Sequence, residues 1–337
     1  MHSLLVTGGC GFIGSHFTEY ILRTTEWNVV VLDRLDSTAS LNRLSHLIPE
    51  FKNRLKIIWW DLKAELNQGI KHQLKNIDRV IHTAASSHVD RSIVDPSEFV
   101  MDNIVGTMNL LNWIKDQNNI QSFLHCSTDE VFGSADKNSI YTPSSATFPE
   151  NPYAATKAGA ESLVISYACT YKLPLSIARM TNVIGIKQHP EKFIPSTIRK
   201  ILNEEVVEIY CSEDKQEIGS RYYVDIKDIN LGLLQILTES ASLPYISKEH
   251  RFRGIFQFSG PQEVGNLQVA ELIGDRIGKN WNYKLEPYPT KRPYHDLNYR
   301  ISSSTMNHLG WYSKIDIEKS IIEIVDWTLQ NQEWLEL

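Results

Sequence analysis

The stretch Ser3-Leu4-Leu5-Val6-Thr7-Gly8-Gly9-Cys10-Gly11-Phe12-Ile13-Gly14 passes from a short apolar run into a glycine-rich turn, and a helical pattern follows from Phe12 to Thr24. Gly8, Gly11 and Gly14 lie three apart. In such a strand–turn–helix the first glycine permits the tight turn, the second lets a phosphate approach the backbone, and the third allows the helix to pack close to the strand. The helix N-terminus at Phe12 and Ile13 then offers free N–H groups and a positive dipole end. A glycine-rich turn alone is equally compatible with tight packing. Here it follows the first strand and precedes Asp33, which ends the next apolar run and sits where a ribose diol can donate to it. The pattern predicts a dinucleotide site. Asp33 repels a 2′-phosphate and so favours NAD, although adjacent Arg34 leaves some room for NADP. Asp61-Leu62 and Ala84, at the ends of the third and fourth runs, are further candidate contacts. Asp61 reads almost as readily as an exposed strand-end carboxylate.

Outward from this turn, short apolar runs alternate with longer helical patterns. Expected strands are 3–8, 28–33, 56–61, 79–84, 122–127 and 175–180, and expected helices are 12–24, 97–115 and 152–171. Regular alternation of this kind predicts an α/β fold with a parallel sheet covered on both faces. After Met180 the rhythm loosens, punctuated by Pro190, Pro195, Pro287, Pro289 and Pro293. The division expected is a dinucleotide-binding domain over residues 1–180 and a smaller substrate domain over 181–337, with 221–260 partly returning to the first.

The 337 residues, 42% hydrophobic and 22% charged, suffice for a substantial core. The formal charge of −6, without a basic run, argues against a nucleic-acid partner. Cys10, Cys126, Cys169 and Cys211 are widely separated, so neither a metal site nor a disulfide framework is expected, and a cytoplasmic setting fits. No apolar segment approaches the roughly 18 residues that span a bilayer, so no membrane association is expected.

Asn151-Pro152-Tyr153-Ala154-Ala155-Thr156-Lys157 begins a helix, with Asn as cap and Pro in the first turn. Tyr153 and Lys157, four apart, share one face. A nearby ammonium is expected to lower the tyrosine's ordinary pKa of ~10. Alone, this spacing is common by chance. Together with the glycine turn it resembles the extended short-chain dehydrogenase/reductase family, whose tyrosine and lysine work beside a hydroxyl that corresponds here to Thr128. The segment His125-Cys126-Ser127-Thr128-Asp129-Glu130-Val131-Phe132-Gly133 narrows the resemblance to nucleotide-sugar 4,6-dehydratases. Ala84-Ala85-Ser86-Ser87-His88-Val89-Asp90-Arg91-Ser92-Ile93 is similar to the family's loop after the fourth strand, with Ser86 in place of the usual glutamate. Thr181-Asn182-Val183-Ile184-Gly185 and Gln188-His189-Pro190-Glu191-Lys192-Phe193-Ile194-Pro195 are similar to its substrate loop, with Ile184 and Ile186 replacing Tyr and Pro. Gly219-Ser220-Arg221-Tyr222-Tyr223-Val224-Asp225 and Arg292-Pro293-Tyr294-His295-Asp296 are similar to its two basic elements; Tyr222 and Tyr223 depart from the usual acidic residue and Trp.

The resemblance implies a Rossmann-type doubly wound sheet with a smaller C-terminal domain, NAD as cofactor, a nucleoside-diphosphate hexose as substrate and a homodimer. It implies dehydration to a 4-keto-6-deoxy sugar: Tyr153, supported by Lys157 and Thr128, takes the 4-hydroxyl proton, Glu130 the carbon-5 proton, and Asp129 protonates the departing 6-hydroxyl. Acid and base must then differ in protonation state. Arg221 and Arg292 would clamp the diphosphate as paired guanidinium groups, with Ser87, His88, Asn182, Lys192 and His295 also on the substrate side. Without the resemblance these arginines read as surface charges. An alternative on the same scaffold is a 4-epimerase or decarboxylase, which needs no Asp-Glu pair. A non-catalytic NAD sensor would need none of these groups.

Overall fold

The computed structural model describes residues 2–135, 139–239, 246–247, 252, 254–287 and 298–336. Its centre is a seven-stranded sheet of β1 (Ser3–Thr7), β2 (Asn28–Asp33), β3 (Leu55–Trp59), β4 (Arg79–His82), β5 (Ser122–Thr128), β6 (Leu175–Met180) and β10 (Ile255–Phe258). The order is β10-β6-β5-β4-β1-β2-β3 and every pairing is parallel. This is the doubly wound Rossmann-type arrangement, in which the strand order reverses between β1 and β4 and opens a crevice at the strands' carboxyl ends.

Successive side chains of a strand point to opposite faces, so a sheet covered on both sides needs apolar residues at every position. Leu4 and Val6 enter one core with Phe17 and Ile21 of the Phe12–Thr24 helix and Ile229 and Leu233 of the Ile226–Thr238 helix. Leu5, Val80 and Phe123 enter the other, with Leu110 and Ile114 of the Gly106–Ile114 helix and Val164 of the Pro152–Tyr171 helix. Burial of each such side chain stabilises the fold by roughly 1.5–3 kcal/mol before the entropy of ordering is set against it.

The smaller region has its own apolar cluster. The Phe193–Leu202, Asn266–Ile277 and Ile317–Gln330 helices pack there against β7 (Asn182–Ile184), β8 (Val207–Cys211), β9 (Ser220–Asp225), β11 (Glu263–Gly265) and β12 (Tyr283–Pro287). The chain crosses between the two regions more than once. Asp225 ends β9 and caps the Ile226–Thr238 helix by accepting the Lys227 N–H at 2.7 Å, and that helix lies on the large sheet. β10 then pairs with β6. Among the described residues no helix is long and apolar enough to cross a membrane.

The helix expected over 97–115 differs from the expectation. It comprises Pro96–Phe99, a π-helical turn Val100–Val105 and the Gly106–Ile114 helix. The wide turn accommodates two polar side chains that face inward: Asn103 donates to the Ser86 carbonyl at 3.0 Å and the Thr156 hydroxyl at 2.9 Å, and Asp102 meets Ser86 and Arg34.

Candidate active site

β5 ends at Thr128, and the chain turns at once into the short 3-10 segment Asp129–Phe132. The Thr128 hydroxyl oxygen accepts the Glu130 N–H at 3.3 Å. Gly133, at φ 72°, ends the segment where a Cβ would lie 2.4 Å from the Phe148 carbonyl oxygen. Asn151 caps the Pro152–Tyr171 helix by accepting the Ala154 N–H at 2.8 Å, and its amide donates to Glu130 at 3.3 Å. One cap residue thus connects the helix bearing Tyr153 and Lys157 to the turn bearing Asp129 and Glu130. Tyr153 donates its N–H to Ser92, and Lys157 Nζ donates to the Cys126 carbonyl on β5 at 2.7 Å. A further turn along the helix, Glu161 pairs with Arg179 of β6 at 2.7 Å, both buried.

Thr128, Asp129, Glu130, Tyr153 and Lys157 line one cleft together with Gly8, Gly11, Phe12, Ile13, Gly14, Ser87, Asn182 and Lys192. Asp129 is 4% exposed; burial and then the Glu130 charge push its carboxyl up to about 7, against smaller pulls from Thr128 and Arg221. Its Oδ1 accepts from the Thr128 hydroxyl at 3.1 Å, while its buried Oδ2 has no hydrogen-bond partner among the described residues. The expectation for Tyr153 is corrected. Burial, then the Glu130 and Asp129 charges, push its hydroxyl upward, and only contact with Thr128 acts in the other direction. The Lys157 ammonium is turned toward Cys126 and is itself pulled down to about 8 by burial.

At the other end of the crevice, the Phe12–Thr24 helix begins at Gly11 with no side-chain cap. Gly8 has φ +70°, and a Cβ there would lie 2.6 Å from the Ala84 nitrogen; a Cβ on Gly14 would lie 2.3 Å from the Gly8 carbonyl. Asp33 is buried, accepting N–H groups from Cys10 and Leu35 at 2.8 Å each, so the carboxylate also braces the turn. Gly8, Gly11, Asp33, Arg34, Asp61, Leu62, Ala84 and Asp102 line this end.

On the opposite side, Asn182, Lys192, Arg221 and Tyr223 line a second cleft that meets the first at Glu130. Arg221 is 6% exposed, with its guanidinium 4.9 Å from the Tyr299 ring centre. It is not a solvated surface charge. Lys192 Nζ reaches the Ser87 carbonyl at 3.0 Å. His88 instead caps the Val89–Val94 helix, accepting the Arg91 N–H at 3.4 Å, and lines neither cleft. Arg292 and His295 lie outside the described residues. The sequence reading missed Asp102, Asn103 and Tyr223, the last a buried phenol donating to Asn266 at 3.1 Å. The adjacent polar pair Asp102-Asn103 inside the apolar run Phe99–Val105 was the available signal.

Residues 5–324 match the family described as GDP-mannose 4,6 dehydratase. The low-salt glycan biosynthesis protein Agl12 of Haloferax volcanii is 33% identical, covering 98% of this chain and 99% of its own length. A trifunctional UDP-glucose 4,6-dehydratase/epimerase/reductase of Arabidopsis thaliana is 31% identical over 98% of this chain, which spans only 48% of that relative. The crystal structure of DesIV, a dTDP-glucose 4,6-dehydratase of Streptomyces venezuelae with NAD and TYD bound, superimposes with a TM-score of 0.88 at 31% identity, covering 99% of each chain. With the glycine turn and the Thr–Asp–Glu and Tyr–Lys groups gathered at the crevice of one sheet, the chain belongs to the GDP-mannose 4,6 dehydratase family, the nucleotide-sugar 4,6-dehydratases of extended short-chain dehydrogenase/reductase build.

Proposed function

We propose that the protein dehydrates a nucleoside-diphosphate glucose to its 4-keto-6-deoxy derivative, using NAD that is regenerated in each turnover. The observation that carries this is Asp129. A buried carboxyl pushed up to about 7, with one oxygen unpartnered, beside a second carboxylate, is suited to giving up a proton at neutral pH. An epimerase needs no such pair.

The crevice suits a dinucleotide: glycines at 8 and 14 let the turn and helix close tightly against the Ala84 and Gly8 backbone, and the helix N-terminus beside them is uncapped. Gly8, Gly11, Phe12, Ile13 and Gly14 would hold its pyrophosphate, Asp33 a ribose, and Asp61, Leu62 and Ala84 the adenosine end. When bound, NAD supplies a hydride acceptor and donor and a positive charge near Tyr153. With that positive charge and the Lys157 ammonium offsetting the upward push of burial and the two carboxylates, Tyr153 Oη would act as phenolate and take the proton of the sugar's 4-hydroxyl, with Thr128 Oγ1 as its hydrogen-bond partner. Once carbon 4 is a ketone, its neighbour carbon 5 is acidic, and Glu130 removes that proton. Asp129 protonates the 6-hydroxyl, which leaves as water; the 5,6-double bond so formed would take the stored hydride back at carbon 6 and a proton at carbon 5, which gives the 4-keto-6-deoxy sugar and balances the electrons. Ser87, Asn182, Lys192, Arg221, Arg292 and His295 are assigned to the nucleotide-sugar side, with Arg221 and Arg292 on the diphosphate. The 88th position is better assigned to positioning the loop, since His88 caps a helix.

Residues 1–180 with part of 221–260 would form the dinucleotide domain and 181–337 the sugar-nucleotide domain, in a cytoplasmic homodimer. Among nucleotides we favour dTDP-glucose, because Ser87–Ser92 resembles the loop of the dTDP-glucose enzymes, over UDP-glucose, to whose enzymes Tyr153–Glu161 is the more similar. Incubating the purified protein with both sugars, without added reductant, and following loss of water by mass tests the reading. NAD bound without water loss from any nucleoside-diphosphate hexose would overturn it.

A further inference from the structure

The adenosine end of the crevice contains a charge arrangement that the reaction does not use. Arg34 directly follows Asp33, where a free guanidinium would attract a 2′-phosphate. Its Nη1 and Nη2 instead donate to the two oxygens of Asp102, at 2.5 and 2.7 Å, and Nη2 and Nε donate to Asp36 at 2.9 and 3.2 Å. Asp102 comes from the π-helical turn, far along the chain, and its side chain is only 5% exposed. Ser86 Oγ fixes it from a third side at 2.5 Å. The other cation of this wall, Lys63, is 3.5 Å from Asp61 and 3.7 Å from Asp102. Four carboxylates therefore face two cations around the cleft: Asp33, Asp36, Asp61 and Asp102 against Arg34 and Lys63.

We propose that Asp102 is a cofactor-specificity residue, holding Arg34 in a bidentate pair so that a 2′-phosphorylated dinucleotide is rejected. The inference rests on the dinucleotide reading above. Asp33 alone repels a phosphate, but an unpaired Arg34 beside it would offset that repulsion. The pair removes the offset and adds a second buried negative charge to the wall. Burial strengthens this, because a carboxylate screened from water repels a dianion more strongly than an exposed one. Ser86 supplies a neutral donor that holds Asp102 without adding charge.

The test is the dissociation constants of NAD and NADP, measured by calorimetry on full-length protein stripped of bound nucleotide. Asp102→Asn should improve NADP binding relative to NAD by at least about tenfold, the scale of one charge-assisted pair. The gain should shrink with added salt and disappear in Asp102→Asn/Arg34→Ala. Should Asp102→Asn fail to fold, Asp36→Asn, which frees the other side of Arg34, should shift the ratio in the same direction by less. An unchanged NADP-to-NAD ratio in a variant that still binds NAD overturns the inference, as does a gain that survives removal of Arg34. If the wild-type protein binds neither dinucleotide, the cofactor reading fails and this inference fails with it.

Discussion

Lys157 donates to the Cys126 carbonyl at 2.7 Å, joining the helix that carries Tyr153 to the strand that ends in Thr128. The ammonium is thereby both a strut and a charge. Burial pulls it down to about 8, so it remains mostly charged at neutral pH and loses its proton just above. Lys157→Met keeps the volume and removes both functions. Turnover should fall ~100- to 10,000-fold, the range for lost acid–base assistance, with a smaller loss of NAD affinity. Single-turnover formation of bound NADH checks it; an unaltered rate would reduce Lys157 to a packing residue.

The proposed reaction divides the elimination between Asp129 and Glu130. Glu130→Gln should still permit oxidation at carbon 4 but block entry of solvent deuterium at carbon 5. Asp129→Asn should allow that exchange while water loss becomes slow. Mass analysis of deuterium uptake alongside water loss in both variants is the measurement. The opposite pattern reverses the two roles, and normal dehydration in both makes the pair structural.

The same aspartate should lower stability at neutral pH. Its carboxyl titrates near 3.8 when unfolded and is pushed up to about 7 when folded. Between those values the folded chain holds a proton that the unfolded chain has released, so stability falls as pH rises through this window. Asp129→Asn removes the penalty. The variant's Tm should match wild type near pH 4 and exceed it increasingly up to pH 8, where the gain in folding free energy is on the order of a few kcal/mol. A Tm difference that does not grow with pH would show that the carboxyl is not raised.

Arg221 is buried beside Tyr299 and borders the cleft next to Glu130. Arg221→Ala should weaken nucleotide-sugar binding by roughly tenfold or more, corresponding to ~1.5–3 kcal/mol for charge-assisted hydrogen bonds, and leave NAD affinity intact. Arg221→Lys should recover only part, because an ammonium cannot form the planar two-point contact. Equal substrate affinity in all three proteins, by calorimetry with a nonreacting nucleoside diphosphate, would remove the diphosphate role.

Local pattern was enough to specify much of this molecule. β2, β6 and the Phe12–Thr24 and Pro152–Tyr171 helices fall on the expected bounds, because caps, glycines and apolar runs act within a few residues. The parallel sheet followed from alternation, and the Thr–Asp–Glu and Tyr–Lys groups from short motifs. β10 was not read as a strand: four residues, Ile255–Phe258, have too little periodicity, and their place beside β6 depends on packing. The ionisation of Tyr153 and Asp129 was also decided by the tertiary structure, since desolvation and the approach of two carboxylates depend on what surrounds a group. The same holds for Arg34, which in the sequence left some room for a 2′-phosphate beside Asp33. Its partner Asp102 is 68 residues away and reaches it only because a π-helical turn of one connection folds over the end of β2. Sequence supplied the candidate side chains because chemistry is carried by residue type; folding decided their charge states and partners because those are properties of distance and burial.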